Sequence, residues 1–310
     1  MRFVIGTRGS KLALWQAEYV SALLQAKGAQ TQIKIIDTKG DQILNQPLSE
    51  IGSKGLFTEE LETELKQGFI DLAVHSAKDM PSMIPQELEL IAFSEREKVN
   101  DVVVSLNPAL TLKLAVEQNL KIGTSSTRRR ATLNHYYPGI HLVDMRGNLQ
   151  TRLRKMEEGQ CDAMILAYAG VYRMEMSQYI VEELSEETFI PAVGQGALAI
   201  ETAVSLSADK KAFLRSTLND IDTEYCLLAE RSFLKTMEGG CSVPVFALAK
   251  LEGDNLILKG GVISLDGTRQ IEGIQRGNTQ DALTIGNRLA NDIIAKGGLE
   301  ILEEIKRHKK

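Results

Sequence analysis

Three arginines follow directly on a hydroxyl-rich turn in GTSSTRRR, residues 123–130, and five more, Arg8, Arg146, Arg152, Arg154 and Arg173, stand close to expected strand ends or helix starts. A guanidinium meets a carboxylate or phosphate through a two-pronged fork. Hydroxyls and the unpaired N–H groups of a helix start, such as those expected around Thr124, Ser125 and Ser126, bind the same anions. The chain as a whole carries a formal net charge of -5. A mildly acidic protein that gathers cations at element ends is built to read a small polyanion. For any one arginine the competing reading is a solvated surface side chain in a weak ion pair.

Two further positions have reactive character. Cys241 lies in EGGCSVP, residues 238–244, where two glycines open the backbone around a loop thiol. A thiolate is a strong nucleophile and can hold a covalent adduct. Cys161 and Cys226 fall within apolar elements and read as buried structural thiols. Asp79 closes the run HSAKD at the end of an apolar strand, beside Lys78. Such a carboxylate can hold an amine or a pyrrole N–H, or move protons, and the competing role is a helix cap. Lys54, in GSKG, is a loop lysine placed for an anion, although the phosphate-loop order of glycines and lysine is absent. The glycines flanking Gln195 suggest a crossing point between domains, against the alternative of an ordinary tight turn.

Composition narrows the class. At 310 residues and 43% hydrophobic, the chain is too long for one ordinary core and implies two or three domains. The three cysteines are odd in number and widely spaced, which argues against a disulfide scaffold. The four histidines, His75, His135, His141 and His308, form no metal-ligand spacing with them, so no metal is expected. The charge balance disfavours nucleic acid, which asks for a broad basic face. With no apolar segment long enough for a signal or a membrane span, a soluble cytoplasmic protein is expected.

The elements that must position these groups alternate. Phe3–Ile5 reads as a strand, then Ser10 caps a helix that ends near Gly28. Thr31–Ile36 and Ile70–Val74 read as strands around a helix over 55–67. A second alternation places strands at Val102–Val104, Lys121–Ile122, His141–Val143 and Ala163–Ala167, with helices over Thr127–Tyr136 and Asn148–Glu158. The polar motifs fall just after strands, where open α/β sheets present their crevices. From about Asp209 the texture changes. A helix over Thr223–Thr236 precedes strands at Val243–Lys250, Leu256–Ile263 and Gln270–Gln275, joined by hairpin-type turns, and helices follow from Asp281 and after Gly298. The fold class expected is α/β, with a smaller C-terminal α+β domain on an antiparallel sheet.

In order along nearly the whole chain, eight motifs resemble the porphobilinogen deaminase (hydroxymethylbilane synthase) family: TRGSKLALWQ (7–16), GSKGLF (52–57), HSAKDMP (75–81), GTSSTRR (123–129), MRGN (145–148), TRL (151–153), PAVGQGA (191–197) and EGGCSVP (238–244). The resemblance implies three domains, the first two like the lobes of type II periplasmic binding proteins: residues 1–95 with 190–207, residues 96–189, and residues 208–310. It implies a dipyrromethane cofactor joined through a thioether to Cys241. Porphobilinogen then loses ammonia to give an azafulvene, which the terminal pyrrole attacks; four additions and a hydrolysis yield hydroxymethylbilane. By resemblance Asp79 is the catalytic carboxylate. Lys78, Arg128, Arg129, Thr124, Ser126 and Ser76 hold the cofactor, and Arg8, Ser10, Arg146, Arg152, Arg173, Lys54, Phe57 and Gln195 bind substrate. Porphobilinogen is the implied partner, and a monomer able to hand its product to the next enzyme is expected. Two positions depart from the family pattern: Glu50 stands where many bacterial relatives have lysine, and Met80 replaces a smaller apolar residue. Two rival readings are a non-catalytic anion receptor on the same two-lobed fold, which needs neither Cys241 nor a third domain, and a transferase acting on phosphorylated substrates, which asks for a phosphate loop or metal-binding carboxylates.

Overall fold

The computed structural model describes residues 1–42, 58–238 and 243–307. Two five-stranded sheets form two lobes. The first orders its strands β2 (Gln30–Ile35), β1 (Arg2–Thr7), β3 (Leu72–Ser76), β10 (Leu198–Ala203) and β4 (Leu88–Phe93). The second orders β7 (His141–Val143), β6 (Lys121–Gly123), β8 (Ala163–Ala167), β5 (Asp101–Ser105) and β9 (Ile180–Glu183). The lobes share one plan. Three parallel strands, β2-β1-β3 or β7-β6-β8, are followed by one antiparallel strand that has arrived from the other lobe, β10 or β5. Each arriving strand also slips register against its edge partner, at Ile200/Glu201 in one sheet and Val103/Val104 in the other. Every residue of β5, β8 and β10 is buried, as expected of central strands covered on both faces.

The helices start where small polar residues can cap them. Ser10 accepts the Ala13 N–H at the start of α1 (Lys11–Ala26). The short α2 (Lys39–Gln42) and α3 (Glu59–Lys66) follow in the first lobe, and α4 (Leu112–Glu117) opens the second. Ser126 caps α5 (Thr127–Tyr136) and Asn148 caps α6 (Leu149–Glu157). Then α7 (Tyr168–Arg173) leaves the end of β8. The α1 face bearing Ala17, Val20 and Leu24 closes one core with Phe3, Ile5, Leu72 and Val74.

The third unit stacks α9 (Ile221–Thr236), α10 (Ala282–Ile293) and α11 (Leu299–Arg307) on the antiparallel sheet β11 (Val245–Glu252), β12 (Asn255–Ile263), β13 (Gln270–Asn278). A Cβ at Gly286 of α10 would fall 2.3 Å from the Ala229 carbonyl oxygen, so glycine is what lets α9 and α10 approach. The core here, around Leu227, Phe233, Leu258 and Leu289, continues into Ala77, Met80 and Phe93 of the first lobe. Met80 is thus a packing residue behind the turn that carries Asp79. Leu214 and Leu218 of α8 (Ala208–Leu218), just past the start expected for this unit at residue 208, share a core with Phe3 and Ile5. Among the described residues no helix is long and apolar enough to cross a membrane.

Candidate active site

All the polar motifs described converge where the parallel strands end. Arg8 and Ser10 follow β1, Ser76 to Asp79 follow β3, Thr124 to Arg129 follow β6, Arg146 follows β7, and Arg173 ends the helix after β8. On the first lobe Arg8, Ser10, Gln16, Thr58, His75, Ser76 and Asp79 line one recess. Thr7 fixes the loop below it by donating to the Ala13 carbonyl at 2.9 Å, and Gln16 donates to the Ser76 hydroxyl at 2.8 Å. Asp79 closes a single 3-10 turn, Ala77–Asp79, and is exposed. No regular helix follows for its carboxylate to cap, which removes the competing structural role.

The second lobe supplies the cations. Asp101, fully buried at the head of β5, accepts from Arg128 Nη2 at 2.7 Å and from Arg129 Nε and Nη2 at 3.0 and 2.7 Å. Backbone carbonyls take further donors: Arg128 Nη1 reaches Ile190, and Arg129 Nη1 reaches Ile165. Burial opposes ionisation of Asp101, yet Arg128 and Arg129 outweigh it and hold the carboxyl far below its usual range. Burial lowers Arg128, against the pull of Asp101. Two arginines on one carboxylate leave a buried positive charge over, and Arg128 Nε is buried without a partner.

The lobes meet electrostatically. Burial pushes the Lys78 ammonium down to about 8; Asp79 opposes this and Arg129 and Arg128 add to it. Arg152 is pushed down to about 10 by burial and by Arg129 and Arg146, with Asp79 opposing. Arg152 Nε grips the Gly147 carbonyl at 2.7 Å and Lys155 the Arg146 carbonyl at 3.2 Å, which fixes the loop presenting Arg146. Gly147 has φ +114, and a Cβ there would strike Thr151 at 2.7 Å. Arg146 Nη1 is buried and has no partner. Among the described residues the crevice therefore sets Lys78, Arg128, Arg129, Arg146 and Arg152 against the carboxylates of Asp79 and Asp101. Arg128 and Arg129 are buried and Lys78, Arg146 and Arg152 half-buried, and such an excess of cations asks for an anionic occupant.

Other expected residues are placed differently. Ser126 is the α5 cap, and Thr124 Oγ1, itself buried, accepts the Ser126 N–H at 3.3 Å. Gln195 is 1% exposed, and its Nε2 donates to the Val99 carbonyl at 2.6 Å and to Asp101 at 3.0 Å, so it braces the crossover between lobes. Arg173 donates to the Gly196 carbonyl at 2.7 Å. Arg154 points outward to Glu158, 3.7 Å away, with a 68% exposed side chain. Cys161 and Cys226 are buried, as expected of structural thiols, and burial pushes them up to about 11 and about 12. Cys241, Lys54 and Phe57 lie outside the described residues.

Three supporting residues escaped the sequence reading. Asp101 could have been noticed as an acid heading an otherwise apolar strand, DVVVS, and Gln16 as a polar residue on the buried face of α1. Glu230, fully buried within α9, pairs with Arg96 at 2.6 Å and accepts the N–H groups of Gly194 and Ala249, both at 2.8 Å. It ties the third unit to both crossovers, and nothing local in its helix marks it.

Residues 3–211 match the family model described as porphobilinogen deaminase, dipyromethane cofactor binding domain, and residues 224–295 match its C-terminal domain. The chain belongs to the porphobilinogen deaminase family. It is 58% identical over 303 residues to the porphobilinogen deaminase of Cytophaga hutchinsonii, covering 98% of this chain and 96% of that one. To the porphobilinogen deaminase of Desulfosudis oleivorans it is 51% identical, covering 99% of each. Among solved structures, the VFT2 domain of Bordetella pertussis BvgS aligns with a TM-score of 0.42 at 15% identity, covering 75% of this chain and 91% of that domain.

Proposed function

We propose that this family member joins porphobilinogen units head to tail, with loss of ammonia, onto a dipyrromethane held by Cys241, and releases hydroxymethylbilane by hydrolysis. The observation that carries the reading is the crevice itself, in which Asp79 stands among an excess of buried and half-buried cations and Arg146 Nη1 is buried with no hydrogen-bond partner. The residues present fit the group. Each pyrrole brings an acetate and a propionate, and burying those carboxylates without partners would be prohibitive. Lys78, Arg128 and Arg129, with the hydroxyls of Ser76, Thr124 and Ser126, would hold the dipyrromethane. When bound, it supplies the free pyrrole α-carbon to which new units are joined.

Arg8, Ser10, Arg146 and Arg152, with Lys54 and Phe57, serve the incoming porphobilinogen. Their task is to neutralise its acetate and propionate and to orient the ring with its aminomethyl arm toward Asp79. The Asp79 carboxylate stabilises the positive charge that develops on the substrate pyrrole as ammonia departs. An anion fixed beside a developing cation is electrostatic catalysis, often the largest contribution an enzyme makes. Asp79 can do this because no neighbouring helix claims its carboxylate. Gln195 supports Asp101 from the crossover. We place the enzyme in the cytoplasm as a monomer that passes its product to the next enzyme.

Intact-protein mass spectrometry with peptide mapping around Cys241 tests the attachment. A mass excess equal to dipyrromethane on that peptide is the expected result. An unmodified thiol that stays unmodified after incubation with porphobilinogen would leave an anion receptor as the better reading. Asp79→Asn is expected to retain porphobilinogen binding and to lose turnover by about 100-fold or more, by analogy with the loss of one oxyanion-hole donor. Near-normal turnover in that variant would remove Asp79 from the central role.

A further inference from the structure

Arg173 ends α7, and its guanidinium touches neither Asp79 nor Asp101 in any hydrogen bond of the structure; it reaches instead in two other directions. Nη2 donates to the Gly196 carbonyl at 2.7 Å, on the crossover that returns to the first lobe. The guanidinium carbon lies 5.5 Å from the centroid of the Trp15 ring, on α1 of the first lobe. Burial lowers the Arg173 pKa, while Glu97, on the outgoing crossover, and Tyr19, again on α1, act against that. One side chain of the second lobe is therefore engaged with the first lobe and with both crossovers.

The surroundings have little slack. Gly196 has φ +97, and a Cβ there would lie 2.4 Å from the Glu97 carbonyl oxygen, so the two crossovers are pressed together under the guanidinium. A Cβ at Gly170 would meet Leu149 at 3.5 Å and Leu12 at 3.8 Å, which brings α7 against α1 beside the same contact. Trp15 and Tyr19 stack in parallel at 5.5 Å and extend the surface on which Arg173 lies. A planar cation suits this place because its face can lie on an indole while its edge donates to a carbonyl.

We infer that Arg173 is a positioning residue rather than a carboxylate ligand: it latches the second lobe to α1 and to the hinge, and so sets the angle at which the crevice rests. Its importance for catalysis rests on the proposed deaminase reading, since a product that lengthens unit by unit needs the lobes to part. Parting them about the crossovers must slide the guanidinium off Trp15 or away from Gly196. The contact itself is independent of that reading.

Trp15 is the only tryptophan in the chain, so tryptophan fluorescence comes from this one place, where Arg173 and Tyr19 meet the indole. The experiment compares the purified holoprotein with Arg173→Gln and Arg173→Lys, measuring Trp15 emission, acrylamide quenching and steady-state turnover of porphobilinogen. A latch predicts a red-shifted, more quenchable Trp15 in Arg173→Gln before any substrate is added, an intermediate value in Arg173→Lys, and a change in kcat with KM held within about threefold. A ligand role predicts a KM raised about tenfold or more with kcat held within about threefold, whatever the Trp15 emission, and that result overturns the latch. Should Arg173→Gln fail to fold, the parent protein decides: quenching that changes as porphobilinogen is turned over supports the latch, and turnover with constant quenching overturns it. If no variant or parent turns over porphobilinogen, the deaminase reading falls, while a Trp15 of the substrate-free parent as quenchable as that of Arg173→Gln would show that the contact does not hold in solution and would overturn the latch by itself.

Discussion

Two pairs of arginines in the same lobe have opposite fates. Arg128 and Arg129 start α5, are buried, and share Asp101. Arg146 and Arg152 flank the start of α6 and pair with no carboxylate among the described residues, and one nitrogen of Arg146 is buried there without a hydrogen-bond partner. The first pair comes with an internal counter-ion and backbone acceptors, which keep it charged and rigid when the crevice is empty. The second is left short of an acceptor and gains one only from an occupant. Density of positive charge does not separate these roles; the presence of a built-in carboxylate does. The inner pair makes a fixed floor, and the outer pair makes contacts that can be formed and broken as carboxylates arrive.

Removing the internal counter-ion should have the largest effect on this contrast. Asp101→Asn leaves two guanidinium groups buried together and unopposed, and breaking a buried ion pair by removing one partner costs about 3–5 kcal/mol. Urea unfolding of the variant should show that loss. The same carboxylate makes a pH signature. Its value is depressed in the folded protein, so its contribution to stability is present above the ordinary carboxylate range and is lost as pH falls through the folded value. A variant as stable as the parent would mean that the inner pair does not depend on Asp101.

For the outer pair the prediction concerns turnover rather than folding. Arg146→Lys and Arg152→Lys keep the charge and lose the planar fork, so elongation should stall at a bound intermediate with little change in stability. A loss of about 10- to 100-fold in kcat/KM, on the order of 1.4–2.8 kcal/mol, is expected. Native mass spectrometry of the partly elongated enzyme would show the stalled species. Unchanged elongation in both variants would erase the distinction between the pairs.

Much of the contrast was open to reading in advance, and the missing part has a physical reason. The hydroxyl-rich turn, the arginines behind it and the strand before it are local features, and α5 begins and ends where the pattern places it, at Thr127 and Tyr136. The strands and hairpins of the third unit are also local, and the expected strands fall within or overlap those observed. What escaped was partnership over distance. Nothing near Arg128 in sequence announces Asp101, 27 residues away, nor does anything near Arg173 announce Trp15 or Gly196. Nor does anything near α8 announce that its apolar residues, Leu214 and Leu218, pack against Phe3 and Ile5 of β1, about 200 residues earlier in the chain. Chemistry could be read from residue types. Which arginine is floor and which is receptor required the fold.

A smaller effect should come from Lys78, which lies between the lobes. Its folded value of about 8 lies below the ordinary 10.5. Below pH 8 the folded protein therefore carries the full cost of a buried ammonium, and this cost is relieved as pH rises from about 8 toward 10.5. Binding of carboxylates has the opposite slope, because an anion favours the charged form. Above pH 8 the affinity should fall as Lys78 loses its proton, by at most about tenfold per pH unit for one linked proton. The measurement is the pH dependence with which cofactor-free protein acquires dipyrromethane from porphobilinogen, in the parent and in Lys78→Arg. The arginine variant should lose that slope. An identical slope in both would assign it to another group.

The smallest effect tests the contrast from outside. Arg154 lies on the same helix as Arg152, two residues on, yet its side chain is in solvent and its ion pair with Glu158 is loose. An exposed i,i+4 pair contributes little because water screens it and two long side chains must be ordered to make it. Arg154→Ala should leave stability within about 0.5 kcal/mol of the parent and should leave turnover unchanged. Set beside Arg152→Lys, it asks whether elongation responds to the charge of helix α6 as a whole or to a guanidinium facing the crevice. A stalled intermediate in Arg154→Ala would favour the general field of the helix, and the division into floor and receptor would then have to give way to a description by net charge alone.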